Sequence, residues 1–486
     1  MTAQQTPAKG LVRKLFNQLL LMLAGYGGAQ VLGFARNVLL AHLLSKNDFG
    51  VAAALTVTLQ VFEMVSDLAV DRLILQAPDG AGRKLIDGAH TLLMVRAVII
   101  GTLLWLTAPL LAQLFGLVEA TAAFQAVALI PLVKGAMHLD WRRAQRQLDN
   151  RAAVVIEALP QAVGVVAVWP AVWLTHDYSA ALWVAGVQAA AATLVSHALA
   201  DTPYRLSLDQ HLLRRFLAFG WPIVISAIPL LAVFQGDRMI VVRYLGAEAL
   251  AGYTAAFLVT MVPATLAVKV GMSLILPLLS DTTSGRRTRN ERFLLLSELT
   301  VLSAALYLVG FATLGGSVVR IAFGASYDGY GAVTAAVAMA WALRLVQMPV
   351  GALFMAVGDN KPVLVAGIVR ALALIPALAA AHWGASLPVL GLCAAAGELA
   401  SLLWLARAVR GIDAALPVTL LSRAAFLGLP IVVTLPFWSG HVSSLPLTAA
   451  VSLACLISVF VIASAAFLLP ETRQEIRARL DRFAPA

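Results

Sequence analysis

The sequence predicts an all-α integral membrane protein of about fourteen transmembrane helices, arranged as two pseudo-symmetric six-helix lobes around a central cavity with two more helices at the C-terminus. Three observations carry this. Hydrophobic residues make up 60% of the 486 and charged residues only 12%, and a mean hydropathy of +0.86 is more than a soluble chain can hide in its interior. Apolar runs near the ~20 residues that span a bilayer recur throughout. One early segment returns 202 residues later.

The N-terminus (MTAQQTPAKGLVRKLFNQ) is polar and basic and runs into the first apolar stretch with no small-residue cleavage site, so that stretch is expected to stay in the protein. The apolar runs then fall at 15–44, 48–76, 88–115, 120–138, 152–175, 178–200, 214–245, 249–279, 293–321, 328–357, 362–382, 386–408, 418–438 and 445–469. Each is expected to be a helix, because hydrocarbon cannot satisfy an open sheet edge and a barrel would alternate polar with apolar residues. Many are rich in Ala and Gly, which lets helices approach closely in lipid. Pro222, Pro229, Pro263, Pro277 and Pro349 lie inside these runs and should kink them.

Placing the N-terminus in the cytoplasm puts 24 loop Lys and Arg on that side, among them Lys9, Arg13, Arg142, Arg143, Arg215, Arg287, Arg410, Arg477 and Arg482, against Lys46 and Arg320 on the other. The asymmetry predicts that both termini are cytoplasmic. It also accounts for the net charge of +10 through anionic lipid head groups, without nucleic acid.

The repeat aligns RNVLLAHLLSKNDFGVAAALTVT (36–58) with RMIVVRYLGAEALAGYTAAFLVT (238–260), with seven identities in 23 positions including Arg36/Arg238, Gly50/Gly252 and Thr58/Thr260. An offset of six helices returns the chain to the same side, so the copies run parallel and a pseudo-two-fold axis along the membrane normal is expected. The predicted organisation is an N-terminal lobe at 1–210, a C-terminal lobe at 211–412, and two additional helices with a cytoplasmic tail at 413–486.

With the loop charges on both sides subtracted, nine basic residues remain within the helices. Each costs roughly 2.5–3.5 kcal/mol at a helix centre, so they should face a wet cavity or a partner. Lys134, Arg72, Arg96, Arg370 and Arg243 lie near helix ends and are expected to snorkel; Arg36, Arg238, Lys269 and Arg344 are deeper. Glu63, Asp67 and Asp71 form an acidic stripe at four-residue intervals in VFEMVSDLAVDRLIL, within a fan of roughly 80°. Lys269 stands opposite Asp67 in the repeat. Asp67 either exchanges an ion or pairs with Arg36, Lys269 or Arg96 to hold helices together. Asp71 with Arg72 reads as an interfacial pair, and Glu398 as a core hydrogen-bonding residue.

Cys393 and Cys455 both lie in apolar runs, and no helix carries two of the eight histidines at i, i+4, so neither a disulfide framework nor a metal site is expected. A nucleotide-binding G-x-x-x-x-G-K-[ST] loop is missing, as are a long outer loop and a nucleophile–base pair. A secondary carrier is therefore expected, not an enzyme.

The segments RNVLLAHLLSKNDFGVAAA, FGWPIVISAIPLLAVFQGDRMIVVRYLGAEALAGYTAAF and LILPLLS resemble the polysaccharide-transporter branch of the multidrug/oligosaccharidyl-lipid/polysaccharide exporter superfamily. The resemblance implies flipping of an undecaprenyl-diphosphate-linked oligosaccharide from the cytoplasmic to the periplasmic leaflet of the bacterial inner membrane, for O-antigen or exopolysaccharide synthesis. It implies alternating access driven by a proton or sodium gradient with no bound cofactor, and work beside a polysaccharide polymerase and its chain-length machinery. By position, Arg36, Arg238, Lys269 and Arg344 would hold the diphosphate, for which arginine offers forked donors, and Glu63 and Asp67 would serve ion coupling. A multidrug exporter of the same superfamily is the alternative, but it would favour an acidic or aromatic cavity. An integral-membrane glycan polymerase or ligase is more remote.

Overall fold

The computed structural model describes residues 6–80, 82–147, 149–281, 286–438 and 447–474. The tail arginines Arg477, Arg479 and Arg482 fall outside them. The described residues hold nineteen α-helices and three short 3-10 turns: α1 Thr6–Leu43, α2 Lys46–Val65, α3 Val70–Gln76, α4 Arg83–Leu114, α5 Thr121–Val127, α6 Leu129–Gly135, α7 Asp140–Arg146, α8 Arg151–Thr175, α9 Ser179–Ala198 and α10 Gln210–Ser280. There follow α11 Arg286–Phe323, α12 Gly331–Val346, α13 Met348–Val357, α14 Lys361–Ala371, α15 Leu374–His382, α16 Leu387–Val409, α17 Leu416–Ala424, α18 Gly428–Trp438 and α19 Leu447–Leu468.

Among the described residues twelve stretches are long and apolar enough to cross a membrane. One of these, α10, is two helices meeting at Gly246, whose φ of 85° and ψ of 178° break the helical path. Counted as two, and with the long helix α1 added to the twelve, it leaves the structure of this multi-pass membrane protein consistent with the about fourteen helices that the sequence predicts. Large apolar side chains face outward, Leu110 at 64% exposure and Trp173 at 74% among them, as a lipid-solvated surface requires.

Several predicted helices are interrupted. The breaks before α6, α13 and α15 come two to four residues ahead of Pro131, Pro349 and Pro376, where the ring crowds the preceding turn and its nitrogen cannot donate the i→i−4 hydrogen bond. The break between α2 and α3 has no proline. There Asp67 Oδ1 accepts from the Ala69 backbone N–H at 2.9 Å, and Ala69 adopts a left-handed φ of 49°, a conformation that costs a non-glycine residue stability.

The chain separates into two compact units, residues 1–231 with 246–251 and residues 232–245 with 252–486. In the first, Val70, Ile74, Leu85, Ile86, Ala89 and Phe216 form a core. In the second, Ala304, Ala305 and Leu308 of α11 pack with Ala338 and Ala342 of α12 and Val461 and Ala465 of α19, small residues that let the backbones close up.

The turns of the repeat also correspond. α1 ends at Leu43 and Ser45 caps α2, accepting from the Asp48 N–H at 3.0 Å; 202 residues on, Gly246 turns α10. The repeat glycines both sit at close approaches. A Cβ on Gly50 would lie 1.9 Å from the Ala247 carbonyl oxygen, and one on Gly252 would lie 1.9 Å from the Tyr330 ring.

Candidate functional site

In the first unit Arg36 of α1 hydrogen-bonds the Gln188 side-chain oxygen on α9, and Gln188 in turn donates to Gln161 of α8 at 3.0 Å. The Arg36 Nε–H is buried without a partner among the described residues. The partner of this guanidinium is thus a neutral amide.

Glu63 and Asp67 line a second feature of this unit, a cavity of about 390 Å³ shared with Asp71, Arg96, Lys134 and Trp141. It opens where α2 breaks, in keeping with the rule that irregular backbone at membrane depth lines cavities. Lys134, expected to snorkel, pairs with Glu63 at 2.7 Å. Asp71 pairs with Arg142 at 2.5 Å in place of its neighbour Arg72. Arg96 donates to Ser66 Oγ and to the Glu63 carbonyl, both at 3.2 Å, so a cation closes the negative end of α2.

Beyond the end of α6, His138 is buried and accepts at Nδ1 from the Asp140 N–H at 3.1 Å. His90 accepts at Nε2 from the Leu139 N–H. His138 lies 4.7 Å from the ring of His90 and 5.4 Å from that of His197, and Tyr204 stacks on His90 at 4.3 Å. Burial pushes the His138 imidazole below its ordinary value, against a raising influence from Asp140. Residues spaced by tens of positions give no periodic signal, and the sequence reading missed this cluster. It holds no metal-ligating group of three among the described residues.

In the second unit the deep charge Arg344 is joined by residues that the sequence placed elsewhere. Arg344 Nε donates to Glu398 Oε1 at 2.8 Å. Arg370, expected to snorkel, donates to Glu398 Oε2 at 2.7 Å, and Gln347 donates to the same oxygen at 2.9 Å. Arg344 also lies 4.7 Å from the Trp341 ring and 4.9 Å from that of Phe234. One carboxylate therefore serves two guanidiniums, and the triad keeps a net positive charge. Arg344, Arg370, Glu398 and Asp237 line a cavity of about 50 Å³, room for a few waters. Asp237 was not singled out in the sequence; it accepts from Tyr253 Oη at 2.5 Å and from the Arg238 N–H at 2.8 Å. Arg238 is buried with its guanidinium 3.8 Å over the Phe257 ring. Lys269 is exposed on the second limb of α10.

A family model described as polysaccharide biosynthesis protein matches residues 39–331, more than half of the chain. The chain belongs to that family. No curated protein sequence matches it. Among solved structures it is similar to the lipid II flippase MurJ in an inward closed conformation, with a TM-score of 0.70 at 12% identity over 92% of this chain and 99% of that one. It is also similar to an inward-facing multidrug resistance MATE family transporter of the MOP superfamily, with a TM-score of 0.57 at 14% identity over 79% of this chain and 96% of that one. Such identities establish the fold. The chain therefore shares the fold of these transporters.

Proposed function

We propose that this protein is a MOP-type transporter and not an enzyme, and that it flips an undecaprenyl-diphosphate-linked oligosaccharide from the cytoplasmic to the periplasmic leaflet of the bacterial inner membrane, with both termini in the cytoplasm. The observation that carries the reading is the set of arginines held inside the membrane helices with incomplete neutralisation: Arg36 on an amide, and Arg344 and Arg370 sharing one carboxylate. A charge at this depth is retained only for a purpose, and forked guanidiniums suit a diphosphate. A multidrug exporter shares the fold, but these cations oppose a positively charged drug.

In this reading Arg36, Arg238, Lys269 and Arg344 bind the diphosphate, the polyprenyl tail stays in lipid, and an ion gradient supplies the drive. The product feeds a polymerase and chain-length machinery that build O-antigen or exopolysaccharide. The test is reconstitution of the full chain in proteoliposomes with an imposed ion gradient and a fluorescent polyprenyl-diphosphate oligosaccharide, scoring its transfer between leaflets. Transfer that stops with Arg36→Ala supports the reading. Transfer of a cationic dye and not of the glycolipid overturns it.

A further inference from the structure

The cavity of about 390 Å³ in the first unit has the size of a small-molecule site. Its charge is balanced. The lining acids Glu63, Asp67 and Asp71 are matched by Arg96 and Lys134 in the lining and by Arg142, which pairs with Asp71. A bare cation needs a surplus of carboxylate and a diphosphate a surplus of cation; this wall offers neither.

It offers instead hydrogen-bonding groups of both kinds around an aromatic ring. Asp67 spends one carboxylate oxygen on the Ala69 N–H, leaving the other to accept. The Trp141 indole N–H is buried and has no partner among the described residues, although Trp141 lines the cavity. A buried donor left unmade costs about 1–3 kcal/mol, which a ligand oxygen would recover. The Arg142 guanidinium lies 3.6 Å over the Trp141 ring, fixing the plane of the indole and so the direction of its N–H.

We propose that this cavity is a sugar-binding site, taking a neutral polyhydroxylated ring whose hydroxyls donate to the carboxylates and accept from Trp141, Arg96 and Lys134. The inference rests on the glycolipid reading above and adds to it a place where the glycan, apart from its diphosphate, is recognised. Glu63 and Asp67, nominated by the resemblance for ion coupling, act here as acceptors for hydroxyl groups.

The probe is the free oligosaccharide released by mild acid from the lipid-linked intermediates of the cells that make this protein, carrying neither lipid nor phosphate. It is titrated calorimetrically into the purified full chain. The expected result is saturable binding that is unchanged between about 50 and 500 mM salt, since a neutral ligand carries no charge to screen. Trp141→Phe, which keeps an aromatic six-membered ring but removes the N–H and the rest of the indole, should weaken binding by at least the net worth of one hydrogen bond, about 2- to 12-fold. Lys134→Gln serves as a second variant, and thermal unfolding of both confirms that they fold.

Equal affinity in Trp141→Phe and the parent chain overturns the proposal. So does a rise in unfolding temperature when choline chloride is exchanged for sodium chloride that Glu63→Gln abolishes, because the cavity would then be a cation site. A parent chain that binds the oligosaccharide yet moves no glycolipid in proteoliposomes defeats the flippase reading alone. One that moves glycolipid equally well with Trp141→Phe, with unaltered sugar binding, defeats the sugar site alone.

Discussion

Glu398 and Arg344 touch each other, yet their removal should have unequal consequences. Glu398 is 2% exposed and is the acceptor that Arg344 and Arg370 share, at 2.5 and 2.7 Å. Glu398→Ala strips two guanidiniums of their carboxylate at once, and breaking a buried ion pair by deleting one partner costs about 3–5 kcal/mol. Arg344→Ala leaves Glu398 bonded by Arg370 and Gln347, so no charge is orphaned, and the loss is that of charge-assisted hydrogen bonds, about 1.5–3 kcal/mol. Thermal unfolding of the purified full chain, followed by tryptophan emission, should therefore rank parent above Arg344→Ala above Glu398→Ala, with membrane abundance in the same order. Glycolipid transfer should be lost in Arg344→Ala while that protein is still folded. An Arg344→Ala chain that melts as early as Glu398→Ala would refute the sharing argument.

Other outcomes follow from the same geometry. Gly50→Ala should destabilise more than Gly252→Ala, both in the range of about 1–3 kcal/mol typical of overpacking, because the Ala247 carbonyl is backbone while the Tyr330 ring can shift; equal unfolding temperatures would contradict this. Glu298 is fully buried, ion-paired with Arg423 at 2.6 Å, and accepts from the Thr472 N–H at 2.7 Å, so Glu298→Ala should free the segment around Thr472, read as faster proteolysis after residue 469. His138 has a depressed folded-state pKa, so its contribution is intact above the unfolded value of about 6.5 and is lost as pH falls below it. Unfolding temperature should drop between pH 7.5 and 5.5, and His138→Gln, beside the unchanged His90, His197, Tyr204, Asp87 and Asp140, should flatten that slope; an unaltered slope would exclude His138 as the source.

The helix count and the membrane setting are legible in the sequence because lipid leaves the backbone one answer and apolar runs register it directly. The helix breaks are partly legible: Pro349, named from the sequence, stands at one, and Pro131 and Pro376, not named, stand at two more, while Pro222, Pro229, Pro263 and Pro277 lie within the two limbs of α10, whose break is at Gly246; the Asp67–Ala69 break depends on a local side-chain bond that composition does not reveal. Partnerships are the least legible part. Glu398 looks solitary in its helix, yet its guanidiniums come from positions 54 and 28 residues earlier. Arg370 and Lys134 look free to reach the membrane surface because distance to a helix end is visible in a sequence and an acid across the bundle is not. Arg36 and Arg344 stand out in the sequence as cations inside apolar helices, but whether a carboxylate or an amide meets each is decided by packing.

The Gln188 amide that meets Arg36 has an electrostatic corollary. Dissolved salt dampens fields only where its ions can wander, over roughly 10 Å of water at 0.1 M, and a part-buried side chain whose partner is a neutral amide meets fewer of them than a loop arginine does. The pull of Arg36 on an approaching anion should accordingly survive brine that silences the loop arginines, so weakened transport at high ionic strength would report on the membrane surface and not on α1.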